Sequence, residues 1–196
     1  MSDPFSILVA GVGGQGNLVC GRIIAEAAVM QGLRPVVGDT FGASRRGGSV
    51  LTHIRIGTQD WAPLIPQGEV DILLGFEPVE ALRAATKYAG ERTVALVSSL
   101  PIPPLSVTTG SLGYPEITDI EDALDSLCKE VHLLDPAPVM DRLKSTRVLN
   151  TFMIGVLSVL QELPIESKNL EKAISSLLDS DKDLEAFNEG TRAIVP

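Results

Sequence analysis

Cysteine is scarce in this sequence of 196 residues, which contains only Cys20 and Cys128. An iron–sulfur cluster is held by about four cysteine thiolates, so two isolated thiols exclude a cluster bound by this chain alone. The two positions are also too far apart in sequence to form a C-x-x-C redox motif. We therefore expect buried free thiols, which are typical of a reducing compartment.

Basic residues are also in the minority. The 16 lysines and arginines stand against 25 aspartates and glutamates, which gives a formal net charge of −9 at pH 7. Binding to a phosphate backbone needs a basic face, so nucleic acid is not expected as a partner. Aromatic residues make up 4% of the chain and hydrophobic residues 44%. The core is therefore expected to be aliphatic.

The sequence has no hydrophobic run of the length that a membrane span requires. Its most apolar stretch, residues 148–163, is shorter than the roughly 20 residues of a span, and it includes Asn150 and Gln161. This stretch favours a buried helix. The first residues lack the basic stretch that opens a signal peptide. We expect a cytoplasmic protein that does not contact the membrane.

No familiar catalytic constellation is recognisable either. His53 and His132 are far apart and have no paired carboxylates or cysteines nearby, so a metal site is not indicated and both are interpreted as structural. Ser44 and Ser49 have no evident histidine and aspartate partners for nucleophilic catalysis. The absence of a nucleophile, a metal site and a general base indicates a subunit that takes its chemistry from another chain.

The most informative stretch that is present lies at residues 7–33, where an apolar run leads into a glycine-rich turn and then a helical pattern. The glycines fit G-x-G-x-x-G with one extra. Glycine allows a tight turn and a close ligand, and the helix directs its N–H groups to the same place. This context predicts an anion or phosphate site, although such turns also occur without a ligand. The candidate residues are Gly11, Gly13, Gly14, Gln15, Gly16 and Asn17.

Two residues bear on which ligand this turn would bind. Gln15 is unusual in a dinucleotide-binding turn, and its side-chain amide is expected to crowd or contact an approaching ligand. Asp39 closes the second predicted strand, at about the right distance from the glycines to hold a ribose hydroxyl in a Rossmann interpretation.

A second candidate site is the polar loop at residues 39–49, DTFGASRRGGS. Two adjacent arginines can bind a phosphate, a carboxylate or an acidic patch of a partner subunit; a solvated surface loop is the ordinary alternative. The loop leaves the carboxyl end of the second predicted strand, so we expect it to neighbour the glycine turn. Its candidate residues are Ser44, Arg45, Arg46 and Gly47.

Strand and helix patterns alternate along the chain, which predicts a single α/β domain over residues 1–196. We expect a three-layer α/β/α sandwich with a Rossmann-like, mostly parallel sheet and a helical C-terminal part. The third strand alternates apolar and polar residues and is predicted to be an edge or half-exposed strand. Strands are predicted at 6–10, 34–38, 49–56, 71–76, 93–98 and 131–134, and helices at 17–31, 78–88, 118–129, 137–143, 149–163, 167–178 and 184–193.

Three blocks together resemble a known family: GVGGQGNLVCGRIIAEAA, TFGASRRGGSVLTHIRIG and GEVDILLGFEPVEALR. They are similar to the gamma-type subunit of 2-oxoacid:ferredoxin oxidoreductases. The segments IPPLSVTTGSLGYP and RVLNTFMIGVL make the chain most similar to the beta subunits of indolepyruvate ferredoxin oxidoreductases. These blocks cover nearly the whole chain.

The resemblance implies ferredoxin-dependent oxidative decarboxylation of aryl pyruvates to aryl-acetyl-CoA. It implies a larger alpha subunit that carries thiamine diphosphate, magnesium and the iron–sulfur clusters and that passes electrons to ferredoxin. Coenzyme A is a possible shared ligand of the glycine turn and the Arg45–Arg46 pair. The alternatives are a gamma subunit of a pyruvate or 2-oxoglutarate ferredoxin oxidoreductase, a free-standing NAD- or flavin-binding reductase, and a nucleotide-sensing scaffold domain.

Overall fold

A computed structural model describes residues 4–42, 47–102, 113–178 and 180–194 of the chain. Six strands form one sheet, and each predicted strand is present with somewhat different ends. The second strand is longer than predicted, so that Asp39 lies inside it and does not close it. The strands are β1 Phe5–Val12, β2 Arg34–Phe41, β3 Ser49–Gly57, β4 Ile72–Gly75, β5 Val94–Ser98 and β6 Glu130–Leu134.

The helices follow the predicted order. A short 3-10 turn, Thr146–Val148, precedes α5 and was not predicted. Among the described helices, none is long and apolar enough to cross a membrane. The helices are α1 Asn17–Met30, α2 Pro78–Tyr88, α3 Ile117–Asp125, α4 Ala137–Leu143, α5 Leu149–Leu157, α6 Ser167–Leu177 and α7 Asp181–Gly190.

The strand order across the sheet is β2-β3-β1-β4-β5-β6. All strands run in one direction except β3, which is antiparallel to both of its neighbours. The prediction of a mostly parallel sheet is confirmed. The prediction that the third strand is an edge or half-exposed strand is wrong, because β3 is central and largely buried. Its polar residues misled the prediction: Thr52, His53 and Arg55 are buried and hydrogen-bonded to protein groups.

The helices cover both faces of the sheet and create two hydrophobic clusters. On one face α1 and the C-terminal helices pack against residues such as Ile7 and Val9. On the other face α2 and α3 pack against alternate residues such as Leu8 and Ala10. The core is mostly aliphatic, as expected from the few aromatic residues. This arrangement is the predicted three-layer α/β/α sandwich.

Several helix boundaries differ from the prediction, most of all in α3, α5 and α7. Helix α5 ends at Leu157 and not at residue 163, because the chain tightens into i→i−3 turns there and Pro164 follows. Helix α7 begins at Asp181, where acidic residues in its first turn suit the helix dipole, and not at residue 184. Helix α3 begins one residue earlier than predicted, with Glu116 at its N-cap, and ends at Asp125 and not at residue 129.

Helices α5 and α7 cross in direct backbone contact. A Cβ atom added at Gly155 would overlap the carbonyl oxygen of Phe187, and one added at Gly190 would overlap the carbonyl oxygen of Phe152. The whole of α5 is buried. This crossing therefore positions the first residues of both helices, which contribute to the site described next.

Candidate functional site

The glycine turn lies at the carboxyl end of β1, where the chain passes into α1. Gly14 and Gly16 have φ values of 111° and 90°, which favour glycine. The backbone N–H of Gly13 donates to the carbonyl of Gly48 at 2.9 Å. This bond joins the turn to the end of the loop that precedes β3.

The side chain of Gln15 is held by backbone groups and also lines the cleft described below, and its expected contact with a ligand stays a prediction. Its Oε1 accepts from the backbone N–H of Val12 at 2.6 Å, and its Nε2 donates to the carbonyl of Phe76 at 2.8 Å. These bonds connect the carboxyl ends of β1 and β4. From β1 the strands that follow extend the sheet toward one edge, and from β4 they extend it toward the other, so this position is a topological switch point. Dinucleotides commonly bind at such a switch point. Here Gln15 occupies it, and Gly11 leaves space for the amide.

The first turn of α1 has no capping side chain. Asn17, the first helical residue, is buried; its Nδ2 donates to the carbonyl of Val50 at 3.0 Å, while its Oδ1 has no protein partner. Asn17 therefore fixes the helix start to β3. No side chain among the described residues caps the leading N–H groups of α1, and their use by a ligand stays a prediction.

A cleft of about 520 Å³ lies beside the glycine turn, between α1 and the C-terminal helices. Asn150 of α5 is only 5% exposed and lines this cleft. Its Oδ1 accepts from the N–H of Thr151 at 2.9 Å, which directs Nδ2 toward Gly16. No hydrogen bond uses that Nδ2 within the described part of the chain. This donor is therefore available to an acceptor bound in the cleft.

Two cations from the C-terminal third also line the cleft. Arg147 is exposed and takes part in no ion pair among the described residues. Lys182 of α7 donates to the carbonyl of Leu143 at 2.9 Å. The sequence analysis assigned no role to Arg147, Asn150 or Lys182. The only signal for them was that Arg147 and Asn150 belong to the block RVLNTFMIGVL.

The arginine loop falls largely outside the described residues. Ser44, Arg45 and Arg46 are not among them, whereas Gly47 is exposed with a φ of 71°. The flanks of the loop lie at the carboxyl end of β1, through the bond from Gly13 to Gly48. The prediction that the two loops are neighbours is therefore supported at the described end of the arginine loop.

Asp39 is exposed on β2, and its Oδ1 accepts from the hydroxyl of Thr52 on β3 at 2.6 Å. Its carboxylate thus has a structural partner on the adjacent strand. The predicted role of Asp39 as a ribose ligand stays a prediction.

Residues 6–193 match the family model described as pyruvate ferredoxin/flavodoxin oxidoreductase. The chain belongs to this family. The indolepyruvate oxidoreductase subunit IorB of Archaeoglobus fulgidus is 37% identical over 94% of this chain and 92% of its own length. The subunit of the same name from Methanothermobacter thermautotrophicus is 35% identical over 95% of each chain.

Solved structures of the oxidoreductase family share the fold. The gamma subunit of a keto/oxoacid ferredoxin oxidoreductase from Geobacter sulfurreducens has a TM-score of 0.67 at 21% identity and covers 96% of this chain and 97% of its own. The pyruvate oxidoreductase subunit PORC from Thermotoga maritima has a TM-score of 0.69 at 20% identity, covering 97% and 94%. In 2-oxoglutarate:ferredoxin oxidoreductase from Magnetococcus marinus the matching part is 31% of a longer chain, with a TM-score of 0.69 and 22% identity.

Metal-binding types of side chain are scattered over residues 4–42, 47–102, 113–178 and 180–194. No group of three or more His, Cys, Asp and Glu side chains there could hold a metal ion. Burial raises the pKa of the Cys20 thiol far above its usual range, and it raises that of the half-buried Cys128 to about 11. Both thiols therefore stay protonated at neutral pH and are poor nucleophiles.

His53 is fully buried, and its Nδ1 accepts from the N–H of Ile65 at 3.3 Å. This bond needs the neutral ring. Burial lowers the pKa of His53 below its ordinary value of 6.5, against the opposing charge of Asp39. His53 lies on β3 beneath the segment around Ile65. This position agrees with the prediction that His53 has a structural role.

We predict that stability falls as the solution is acidified below pH 6.5, because the unfolded chain then binds a proton that folded His53 does not. The stabilisation is complete above pH 6.5 and declines by up to about 1.4 kcal/mol per pH unit until the lower folded pKa is reached. Urea unfolding between pH 5 and 8 measures it. His53→Gln should have a shallower pH dependence than the wild type. Equal slopes for the two proteins would contradict the prediction.

Proposed function

We propose that the whole chain is one gamma-type domain and forms the cluster-free and thiamine-free subunit of a 2-oxoacid:ferredoxin oxidoreductase. Its complex would oxidise aryl pyruvates such as indolepyruvate to aryl-acetyl-CoA. The larger partner subunit would carry thiamine diphosphate, magnesium and the iron–sulfur clusters, and would reduce ferredoxin. The names of the relatives at up to 37% identity support the aryl-pyruvate assignment. Two cysteines, one of them buried, support placing the clusters elsewhere.

We further propose that coenzyme A binds in the cleft beside the glycine turn. The observation that carries this proposal is the convergence of donors that have no side-chain partner among the described residues. They are the first N–H groups of α1, the Nδ2 of Asn150 and the guanidinium of Arg147. A pyrophosphate accepts hydrogen bonds from helix N–H groups, and an arginine fork fits phosphate oxygens. Arg45 and Arg46, from the adjoining loop, are proposed to contribute further charge.

In this proposal the chain binds and orients coenzyme A and takes no part in proton or electron transfer. The glycines let the pyrophosphate approach the backbone closely, and Asn150 and Arg147 fix its position from the opposite wall. Gln15 argues against a free-standing NAD- or flavin-binding reductase, since its amide fills the switch point where a dinucleotide would bind.

An assay of the reconstituted complex tests this function. We expect ferredoxin reduction with indolepyruvate that requires coenzyme A and both subunits, with much lower kcat/KM for pyruvate and 2-oxoglutarate. Arg45→Ala and Arg46→Ala should each raise the KM for coenzyme A about tenfold if they contact phosphate. Arg192→Ala, an exposed arginine outside the cleft, serves as the control.

Each alternative has its own outcome in the same assay. Preference for pyruvate or 2-oxoglutarate would identify the chain as a gamma subunit of those enzymes. An isolated chain that oxidises a 2-oxoacid, or that binds a flavin or NADH, would reject the proposed division between subunits.

A further inference from the structure

A second cavity continues from the cleft around the corner between α4 and α5. Its volume is about 660 Å³, and it shares Ser145, Arg147 and Lys182 with the cleft. Lys144 lines this second cavity only. The two cavities thus form one depression. The glycine turn lines the cleft, and Lys144, Arg147 and Lys182 line the second cavity.

Two cations of this cavity, Lys144 and Arg147, differ from the neighbouring Arg142, whose charge is neutralised by ion pairs. Arg142 pairs with Glu185 and Glu189, each at 3.1 Å. By contrast, Lys144 and Arg147 enter no ion pair among the residues that the structure describes. Three cations thus line one cavity of a chain whose formal net charge is −9. Asp141, at the end of α4, is the only acidic side chain that lines this cavity in the described structure.

Lys144 also has an uncommon backbone conformation. Its φ is 48°, and it is the only non-glycine residue with a positive φ among those described. It ends α4, with the N–H of Ser145 bonded to the carbonyl of Met140 at 3.1 Å. Glycine is the usual residue at such a position, because any side chain there is strained. A lysine there sets a positive charge at the mouth of the cavity at a conformational cost.

We propose that the cation pocket, defined as Lys144, Arg147 and Lys182, binds a phosphate monoester on the ligand whose pyrophosphate contacts the glycine turn. This inference rests on the proposed coenzyme A function, since the 3′-phosphate of coenzyme A is such a group. A phosphate monoester carries a charge of about −1.5 to −2 at neutral pH, so it needs more than one cation. The pocket selects 3′-phosphorylated adenine nucleotides over nucleotides without that group.

The test compares coenzyme A with 3′-dephospho-coenzyme A by isothermal titration into the complex with the larger subunit. The wild type should bind coenzyme A at least about tenfold more tightly. Lys144→Gln should reduce this preference severalfold and leave the affinity for dephospho-coenzyme A unchanged, because Lys144 lies outside the cleft. Arg147→Ala, which touches both cavities, should weaken binding of both ligands. Arg192→Ala is the matched control and should retain the full preference.

Equal affinity of the wild type for the two ligands would overturn this inference and leave the glycine-turn site standing. Binding of neither ligand would reject the coenzyme A proposal itself. If Lys144→Gln keeps the ligand preference but weakens association with the larger subunit, the cations belong to a protein interface and the inference is wrong.

Discussion

Replacing Gly155 or Gly190 with alanine is expected to destabilise the protein by about 3 kcal/mol or more. In a helix interior, alanine is normally more favourable than glycine by about 1 kcal/mol. Here the added methyl group would overlap a carbonyl oxygen of the crossing helix, and backbone atoms cannot move aside as a flexible side chain can. Packing therefore outweighs helix propensity and reverses the sign of the effect.

Urea denaturation of the purified chain measures this effect as the free energy of unfolding. Gly113→Ala is the control, because a Cβ there meets nothing within 4 Å, and its stability should change by less than about 0.5 kcal/mol. A variant at Gly155 that is as stable as the wild type would show that α5 and α7 do not cross as closely as described.

Gly16→Ala is expected to weaken coenzyme A binding by the complex at least about tenfold, the loss of roughly one charge-assisted hydrogen bond. The added Cβ would lie 3.0 Å from Nδ2 of Asn150 and would displace the amide that is proposed to contact the ligand. It would also keep the pyrophosphate away from the turn. Titration calorimetry with coenzyme A measures the affinity.

Gly32→Ala separates this effect from backbone strain. Gly32 has a φ of 81°, close to the 90° of Gly16, but a Cβ at Gly32 meets nothing within 4 Å. Both variants should lose about 1–2 kcal/mol of stability from the left-handed conformation, and only Gly16→Ala should lose ligand affinity. An equal loss of affinity in both would attribute the effect to strain and not to the cleft.

Local patterns predicted most of the elements and half of the site. The glycine turn and the start of α1 follow from neighbouring residues, so the sequence was sufficient for them. The interior position of β3 was not predictable from its alternation of apolar and polar residues. The polar residues Thr52 and His53 are buried because they find partners on β2 and in the segment around Ile65. Those partners depend on tertiary contacts.

The other half of the site comes from the far end of the chain. Asn150 lies on α5, which packs against α1, and Lys182 lies on α7, which packs against α5. Both side chains line the cleft beside the glycine turn. The partner of Gln15 was not predictable for a similar reason, since Phe76 is 61 positions away. Sequence periodicity identifies which face of a helix is buried, and it carries no information on which loop that face will adjoin.

The reversed direction of β3 has a consequence for how this domain can vary. Because β2 and β3 form a hairpin, the connection between them leaves β2 at Phe41 and enters β3 near Val50, which pairs with Gly11 of β1. Insertions or deletions in that connection would reshape the surface beside the glycine turn without changing the pairing of any strand. Related proteins could thereby acquire different small-molecule preferences while their sheets remain superimposable.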